Sequence, residues 1–246
     1  MKSFLFALRF LTVIPVKVIK SESQITAHNS TIFFPLVGLL LGAILSGANS
    51  LLSYPGLSPF LSGCSLTILL IILTGGLHLD GLSDTFDALG SYKDRESALQ
   101  IMRDSHIGAI GVLSLISVIL LKAGVISELI SQSKNISVIL MTVCIVSRWS
   151  MVLAMYLFPY ARVGGKAKIF FEDTNLKKLL SATVLTFIII FFLLKTGGIL
   201  LIFFSGLFTY FFGKFLAGKF SGLTGDNLGA INELNELFLL LLTFFF

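Results

Sequence analysis

The stretch from Ile32 to Leu52 reads IFFPLVGLLLGAILSGANSLL and contains no charged residue. A helix rises about 1.5 Å per residue, so this run is long enough to cross the roughly 30 Å hydrocarbon core of a bilayer. Inside lipid every backbone polar group must be satisfied within the protein, which a helix achieves by itself. The stretch therefore predicts a membrane-spanning helix.

Further apolar runs follow along the chain and set the fold class. They are Phe60–Leu79, Ile107–Ser127, Ile136–Phe158, Leu179–Leu194, Gly198–Phe212 and a shorter last run, Leu237–Phe246. Composition agrees, because 55% of residues are hydrophobic and only 13% are charged, about half the usual share. We expect an all-α polytopic membrane protein with six or seven transmembrane helices, forming one domain over residues 1–246, with the last run ending a helix that starts near Asn227.

The N-terminal segment has the pattern of a helix lying in the membrane interface. Lys2 and Arg9 fall on one helical face, and Leu8 and Leu11 fall on another. We expect this helix to end near Pro15. The segment lacks a small-residue cleavage site, so it does not read as a signal peptide.

The cations give an orientation. Assigning alternate connections to alternate sides puts 14 Lys and Arg on one side and three on the other, with Arg148 inside a span and Lys122 counted on the poorer side. The positive-inside rule then places four connections in the cytoplasm: residues 1–31, 80–106, 159–178 and 213–236. We therefore expect a cell inner-membrane protein with a cytoplasmic site. The net charge of the protein, +5, is explained by its topology and by contacts with lipid headgroups rather than by binding of nucleic acid. The two cysteines lie in apolar runs and predict neither a disulfide nor a zinc site.

The densest polar motif is GGLHLDGLSDTFD at residues 75–87. Asp80, Asp84 and Asp87 are spaced i, i+4 and i+7, which puts three carboxylates on one face of a helix. Such charges repel one another where a span meets the headgroups, and a divalent cation with oxygen ligands relieves the repulsion. We predict these aspartates as ligands of Mg²⁺; the alternative is solvated charges that end a span.

The other residues of this motif have less specific meanings. Gly75, Gly76 and Gly81 allow a helix break and close backbone approach. His78 is either a phosphate contact or an ordinary interfacial histidine.

A second polar motif, RDSHIG at residues 103–108, follows an amphipathic surface helix expected from Asp94 to Met102. Arg103 and His106 can donate to phosphate oxygens, and Asp104 can orient one of them or bind metal. A polar cap on the next span explains the motif equally well.

Two arginines belong to the predicted span Ile136–Phe158 and to the connection that follows it. Arg148 lies deep in an apolar run, where a charge is costly, so it must pair with an anion, either a substrate phosphate or a structural carboxylate. Arg162, in PYAR at the end of that span, is a candidate phosphate contact.

The last motif is SGLTGDNLGA at residues 221–230. Its turn, with Gly225, can open a helix on Asp226 as N-cap, and a free helix N-terminus binds phosphate well. Glu233 lies seven residues after Asp226 and so shares its face. An ordinary capped helix is the alternative. Acidic and basic groups from four connections thus meet at one membrane face, which favours Mg²⁺-dependent chemistry on a phosphate or diphosphate.

These motifs resemble the cobalamin synthase (adenosylcobinamide-GDP ribazoletransferase) family of membrane enzymes, in family order from residue 9 to 236. The matching stretches are RFLT with Ile14-Pro15, FPLVG, GGLHLDGLSDTFDALG, ALQIMRDSHIGAIGV, Ser147-Arg148, PYAR, and GLTGDNLGA with Glu233 and Glu236. The chain departs from the expected pattern at His106, where Arg is expected, and at Ser221, where Gly is expected.

The resemblance implies a late step of vitamin B12 synthesis. The enzyme would join adenosylcobinamide-GDP to α-ribazole or its 5′-phosphate, release GMP, form adenosylcobalamin or its 5′-phosphate, and require Mg²⁺. Asp80, Asp84 and Asp87 would hold the metal on the diphosphate. Three arginines are candidates to stabilise the leaving GMP: Arg103, Arg148 and Arg162. Three acids are candidates for a general base or further ligand: Asp104, Asp226 and Glu233. Three more residues are candidate substrate contacts beside Arg103: His78, His106 and Gly225.

Two other functions and two other partners remain open from the sequence. A CDP-alcohol-type phosphotransferase of phospholipid synthesis also clusters aspartates near a span end, but its Asp-Gly…Ala-Arg…Gly pattern is not completed after Gly81. An ion-coupled transporter predicts midplane acids and paired repeats, which the sequence lacks. The partners are other cobalamin-assembly enzymes and a second copy of the chain.

Overall fold

The computed structural model of the protein describes residues 2–16, 29–53 and 56–245. Within these ranges the regular structure is helical and includes no strand. Much of the predicted cytoplasmic connection 1–31 lies outside the described residues, as does Phe246 at the end of the last predicted run. The all-α prediction is confirmed.

Ten α-helices follow one another along the described residues. They are α1 (Lys2–Leu11), α2 (Phe34–Ser53), α3 (Pro59–Thr74), α4 (Leu77–Gly90), α5 (Arg95–Ile101), α6 (Ala109–Ser131), α7 (Ile136–Leu157), α8 (Lys168–Asp173), α9 (Leu176–Phe220) and α10 (Gly225–Leu242). Short 3₁₀ segments precede α2, at Ser30–Phe33, and follow α10, at Thr243–Phe245. The surface helix expected before Arg103 and the helix expected near Asn227 are both present.

Five of the described helices are long and apolar enough to cross a membrane, or six if the bent pair α3 and α4 is one span. The multi-pass prediction is therefore confirmed. One of the five is α9, whose backbone breaks at Lys195, where φ is 52° and ψ is −131°. This break lies in the short connection between two predicted spans, Leu179–Leu194 and Gly198–Phe212.

The two parts of α9 turn back on each other as a hairpin. The Trp149 indole nitrogen donates to the Thr183 hydroxyl at 2.9 Å, and its ring also lies 3.5 Å from where a Gly206 Cβ would be. In a straight helix Thr183 and Gly206 would be roughly 34 Å apart, so one side chain could not reach both. Gly198 likewise packs against Ile190. Both predicted runs are thus present as two limbs of one helical hairpin.

The predicted span Phe60–Leu79 is wrong at its end. The helix α3 stops at Thr74, and α4 leaves at 91° to it. Gly75 and Gly76 make the bend with φ of 62° and 69°, a left-handed conformation that costs glycine little. The predicted helix break at these glycines is therefore confirmed, and the acidic motif lies on a separate helix.

The helix α7 forms the centre of the bundle and is buried along most of its length. It packs closely on α2 because Gly38 and Gly42 let the α2 backbone reach the backbone of Cys144 and Met141. The N-terminal helix α1 packs through Phe10 on the rings of other elements, so it is fixed to the bundle.

Candidate functional site

The site begins where α4 crosses the start of α10. A Cβ atom on Gly81 would lie 2.6 Å from the carbonyl oxygen of Asp226, and one on Gly229 would lie 2.9 Å from the carbonyl oxygen of His78. Only glycine permits so close a crossing. The predicted close approach at Gly81 is confirmed, and it brings the aspartates of α4 beside Asp226.

Two loops complete the site. The Ala161 amide donates to the Leu223 carbonyl at 2.9 Å, and the Leu223 amide donates to the Pro159 carbonyl at 2.8 Å. Arg95 from α5 adds a clamp, because its Nε donates to the Phe220 carbonyl at 2.9 Å and its Nη2 to the Ala161 carbonyl at 2.8 Å. These bonds fix the residue that follows Ala161, which is the functional candidate Arg162.

Arg162 forms an ion pair with Asp226, with 2.8 Å between Nη1 and Oδ2. Its side chain is only 11% exposed, and its Nε and Nη2 find no hydrogen-bond partner among the described residues. A guanidinium hydrogen-bonds strongly to phosphate when two of its nitrogens donate together. These two nitrogens are themselves buried, so Arg162 brings two unsatisfied donors to the site.

A cavity of about 290 Å³ lies beside this ion pair, with Arg162 and Asp226 among its lining residues. Polar and small residues that line it include the following: His78, Asp80, Tyr160, Arg162, Lys166, Gly225 and Asp226. Two predicted substrate contacts, His78 and Gly225, thus lie at the cavity. The buried Nε2 of His78 has no hydrogen-bond partner in the described part of the chain.

The Thr224 side chain, not that of Asp226, caps α10. Its hydroxyl accepts from the Asn227 amide, and the Asn227 side chain accepts from the Thr224 amide, which is a capping box. The prediction of Asp226 as N-cap is wrong because the Thr224 hydroxyl accepts the hydrogen bond from the Asn227 amide. The Asp226 carboxylate is left to pair with Arg162.

The aspartates around the cavity make a region of negative potential. Asp84 is half-buried and experiences repulsion from Asp80, Asp226 and Asp87, with partial compensation from Arg162. Carboxylate oxygens are suitable ligands for Mg²⁺. Even so, no three His, Cys, Asp or Glu side chains in the described ranges lie close enough to hold a metal ion by themselves.

Asp87 has a different partner from the one predicted. Its Oδ2 accepts from the Gly108 amide and its Oδ1 from the Gly111 amide, both at 2.7 Å. Asp87 thus caps the first turn of α6, whose amides lack partners within their own helix. The structure gives this carboxylate a structural role, and its role as a metal ligand stays a prediction.

The RDSH motif lies outside the cavity. The Asp104 carboxylate and His106 Nδ1 are 2.6 Å apart on an exposed surface. This contact lowers the pKa of Asp104 and raises the pKa of His106. Arg103 borders a separate open depression of about 550 Å³ but lies within electrostatic range of Tyr160 at the cavity. Asp104 borders the same depression, and the roles predicted for Arg103, Asp104 and His106 stay predictions.

Arg148 and Glu233 belong to a buried ion network rather than to the cavity. The Arg148 guanidinium, 0% exposed, pairs with Glu236. Lys122 pairs with Glu233 at 2.6 Å and also with Glu236. The charges of the two cations and two anions therefore balance. Of the two anions predicted as possible partners of Arg148, a substrate phosphate and a structural carboxylate, the structure shows the carboxylate.

Two members of this network were given no site role from the sequence. Lys122 was counted with the far-side cations, yet it is 4% exposed and lies inside the bundle. The signal was present, since a lysine inside an apolar run needs an anion as much as an arginine does. The partner, Glu236, lies 114 residues away in the chain.

Fold and site together define a multi-pass helical membrane protein with a cavity lined by both acidic and basic side chains. Comparison with known proteins makes this class specific. The chain belongs to the cobalamin-5-phosphate synthase family, whose pattern it matches over residues 3–244. The family expected from the motifs is confirmed.

Curated relatives cover nearly the full length of the chain. An adenosylcobinamide-GDP ribazoletransferase of Klebsiella pneumoniae is 38% identical, covering 98% of both chains. Proteins of the same name from Acetivibrio thermocellus and Clostridioides difficile are 36% and 34% identical. These alignments cover 100% and 96% of this chain and 98% and 95% of the relatives. No solved structure matches the chain.

Proposed function

We propose that the cavity between Asp80 and Arg162 is where this family member performs its transfer reaction. The activity is that of an adenosylcobinamide-GDP ribazoletransferase in cobalamin synthesis, as the family and the names of the relatives indicate. The substrate carries a diphosphate, and the cavity offers one arginine edge beside a group of carboxylates. This juxtaposition carries the proposal.

The reaction we propose is a displacement at phosphorus. The 3′-hydroxyl oxygen of α-ribazole, or of its 5′-phosphate, forms a bond to the phosphorus nearer the corrinoid. The bond from that phosphorus to the bridging oxygen breaks, and GMP leaves with the bridging oxygen. Of the three acids predicted as a base, only Asp226 lines the cavity, so it is our candidate to accept the hydroxyl proton.

Arg162 is suited to stabilise the charge that develops on the leaving phosphate. Its Nε and Nη2 are unpaired in the described structure, while Nη1 is held by Asp226. An arginine held in advance pays little reorganisation energy when charge develops, which is the basis of electrostatic catalysis.

The proposed cofactor is Mg²⁺. This ion usually keeps several waters and is bound by one or two carboxylates together with substrate phosphates. The donor set fits such joint binding, because Asp80 and Asp84 face the same acidic region, although they do not form a complete cage. When bound, the metal would neutralise charge on the diphosphate.

The decisive experiment measures GMP release from adenosylcobinamide-GDP and α-ribazole by purified protein in detergent. We expect Asp84→Asn to lower turnover by about 100-fold, the scale of losing a preorganised charge. Glu128→Gln is the matched control, because this carboxylate is exposed at the other end of α6 and accepts a hydrogen bond from Gln132. A chelator should abolish turnover, and added Mg²⁺ should restore it.

The outcomes separate the parts of the proposal. If wild-type protein releases no GMP, the assigned reaction is wrong. If it does so with chelator present, the metal is wrong while the reaction stands. If Asp84→Asn matches Glu128→Gln, the acidic region is not part of the site.

A further inference from the structure

A second concave region lies on the outer surface of the bundle, away from the cavity. It is a cleft of about 350 Å³ at the end of α9, bordered by α4 and α5. The residues that line it are Ala88, Leu89, Tyr92, Lys93, Ala98, Phe215, Lys219 and Phe220. We call it the Lys93–Lys219 cleft. Its lining combines an apolar floor with two cations and no acid.

The two lysines of the cleft lack an anionic partner among the described residues. Lys93 and Lys219 are exposed, and neither forms an ion pair within the described residues. Lysines usually extend toward water or headgroups while their methylene stems cover apolar surface. Two such lysines around an apolar floor are complementary to a ligand with a negative head and a hydrocarbon body.

The cleft opens on a surface that is suited to lipid. Its wall includes Phe215, which is 49% exposed, and Phe211, one turn earlier on α9, is 65% exposed. Only 22% of the most apolar window of α9 is buried inside the protein. An acyl chain leaving the cleft along α9 would therefore stay in contact with apolar side chains.

Tyr92 supports a binding role independently of charge. Its φ is 53° and its side chain is 96% exposed. This left-handed residue comes directly after Ser91, the C-cap of α4, a position where helices commonly end. Tyr92 also lines the cleft, and amphipathic tyrosine is common at membrane interfaces.

We propose that the Lys93–Lys219 cleft binds an anionic phospholipid, with the phosphate held between the two lysines and an acyl chain along α9. Basic pockets between membrane helices bind anionic headgroups in this way. The cleft also contacts the active-site scaffold. Arg95 of α5 binds the carbonyl of Phe220, a cleft residue, and that of Ala161, which precedes Arg162. A lipid in the cleft would thus stabilise the element that fixes the catalytic arginine.

The test uses full-length protein exchanged into nanodiscs of equal phosphatidylglycerol and phosphatidylcholine, then released into detergent for native mass spectrometry. We expect wild-type protein to retain phosphatidylglycerol selectively. Lys93→Gln with Lys219→Gln should reduce this retention at least about fivefold, because two charge contacts are removed. Lys134→Gln with Lys177→Gln is the control, since half-buried Lys134 and exposed Lys177 lie outside the cleft and their substitution removes the same charge.

Further variants keep the test decisive if the first one folds poorly. Lys93→Arg with Lys219→Arg preserves charge and should preserve retention. Equal retention of both lipids by wild-type protein would overturn the proposal, as would unchanged retention in the glutamine variant. If the wild-type protein is a dimer and the glutamine variant becomes a monomer without losing lipid, the cleft is a contact between two copies of the chain. That result would also overturn the proposal.

Discussion

Gly81 lies directly against the backbone of Asp226, with only 2.6 Å between its would-be Cβ position and the Asp226 carbonyl oxygen. This contact joins α4 to α10 and brings carboxylates from both helices to one cavity. Backbone atoms form the obstacle, so no rotation of a flexible side chain can relieve a larger residue at position 81.

Gly81→Ala should therefore separate the two helices. We expect a loss of roughly 1–3 kcal/mol in stability, the scale of overpacking a tight site, and a larger relative loss of turnover because Asp226 and Asp80 move apart. Thermal unfolding in detergent and GMP release measure the two effects. Gly124→Ala is the control: this glycine lies within α6 and a Cβ there meets nothing within 4 Å. Equal behaviour of the two variants would contradict the tight crossing.

The sequence predicted what local pattern determines. Apolar length gave the spans, as at Ile32–Leu52, and the positive-φ preference of glycine gave the break after Thr74. The sequence did not predict which groups hydrogen-bond to the free amides in the first turn of a helix. The i, i+4, i+7 spacing of Asp80, Asp84 and Asp87 is compatible with two roles of Asp87, a metal ligand and a cap of α6, because both roles need carboxylate oxygens. Only the position of the Gly108 and Gly111 amides distinguishes them.

Long-range pairing was the other limit. Arg148 was known to need an anion, but helical spacing relates residues only within one helix. Its partner, Glu236, comes from a helix 88 residues later in the chain. Packing of α7 against α10 decides this pairing, and no local pattern encodes it.

Arg162 provides a second prediction. Arg162→Lys keeps the positive charge beside Asp226 but loses the planar fork whose Nε and Nη2 are free. We expect kcat/KM to fall at least about tenfold, roughly 1.4 kcal/mol of transition-state stabilisation, with little change in unfolding temperature. Steady-state GMP release and a thermal scan test this. A normal kcat/KM in Arg162→Lys would contradict a catalytic role of Arg162 and would indicate a structural role in the ion pair with Asp226.

Orientation is the third prediction. The distribution of Lys and Arg predicts a cytoplasmic cavity. In a variant without Cys64 and Cys144, a cysteine at Lys166, which lines the cavity, should react with an impermeant thiol reagent only after cells are permeabilised. A cysteine at Lys134 should react in intact cells. The reverse pattern would invert the topology and place the substrate site outside.

Asp87 distinguishes capping from metal binding. Asp87→Ala leaves the Gly108 and Gly111 amides without their acceptor, so we expect a loss of about 1–2 kcal/mol in stability. The Mg²⁺ concentration for half-maximal turnover should stay within about twofold, in contrast to Asp84→Asn. Magnesium titrations of GMP release, with melting temperatures, separate the two. A large rise in the Mg²⁺ requirement of Asp87→Ala would restore Asp87 to the metal site.

The last prediction concerns the buried network. Arg148→Ala leaves Glu233 and Glu236 to share Lys122, and the uncompensated buried negative charge costs about 3–5 kcal/mol. We expect this variant to accumulate poorly in the membrane or to melt at much lower temperature. Arg148→Lys keeps the charge, and because the partner is a protein carboxylate its kcat/KM should remain almost unchanged.

A double variant isolates the ion pair itself. Arg148→Met with Glu236→Leu removes one cation and one anion together, and it leaves Lys122 paired with Glu233 at 2.6 Å. Replacing a buried pair by apolar residues is often neutral or stabilising, so the double variant should recover most of the melting temperature lost in Arg148→Ala. It should also recover GMP release, because neither residue lines the cavity. A structural charge would not affect turnover when the fold is intact. A double variant that folds normally but releases no GMP, together with a tenfold loss of kcat/KM in Arg148→Lys, would therefore return Arg148 to the catalytic residues.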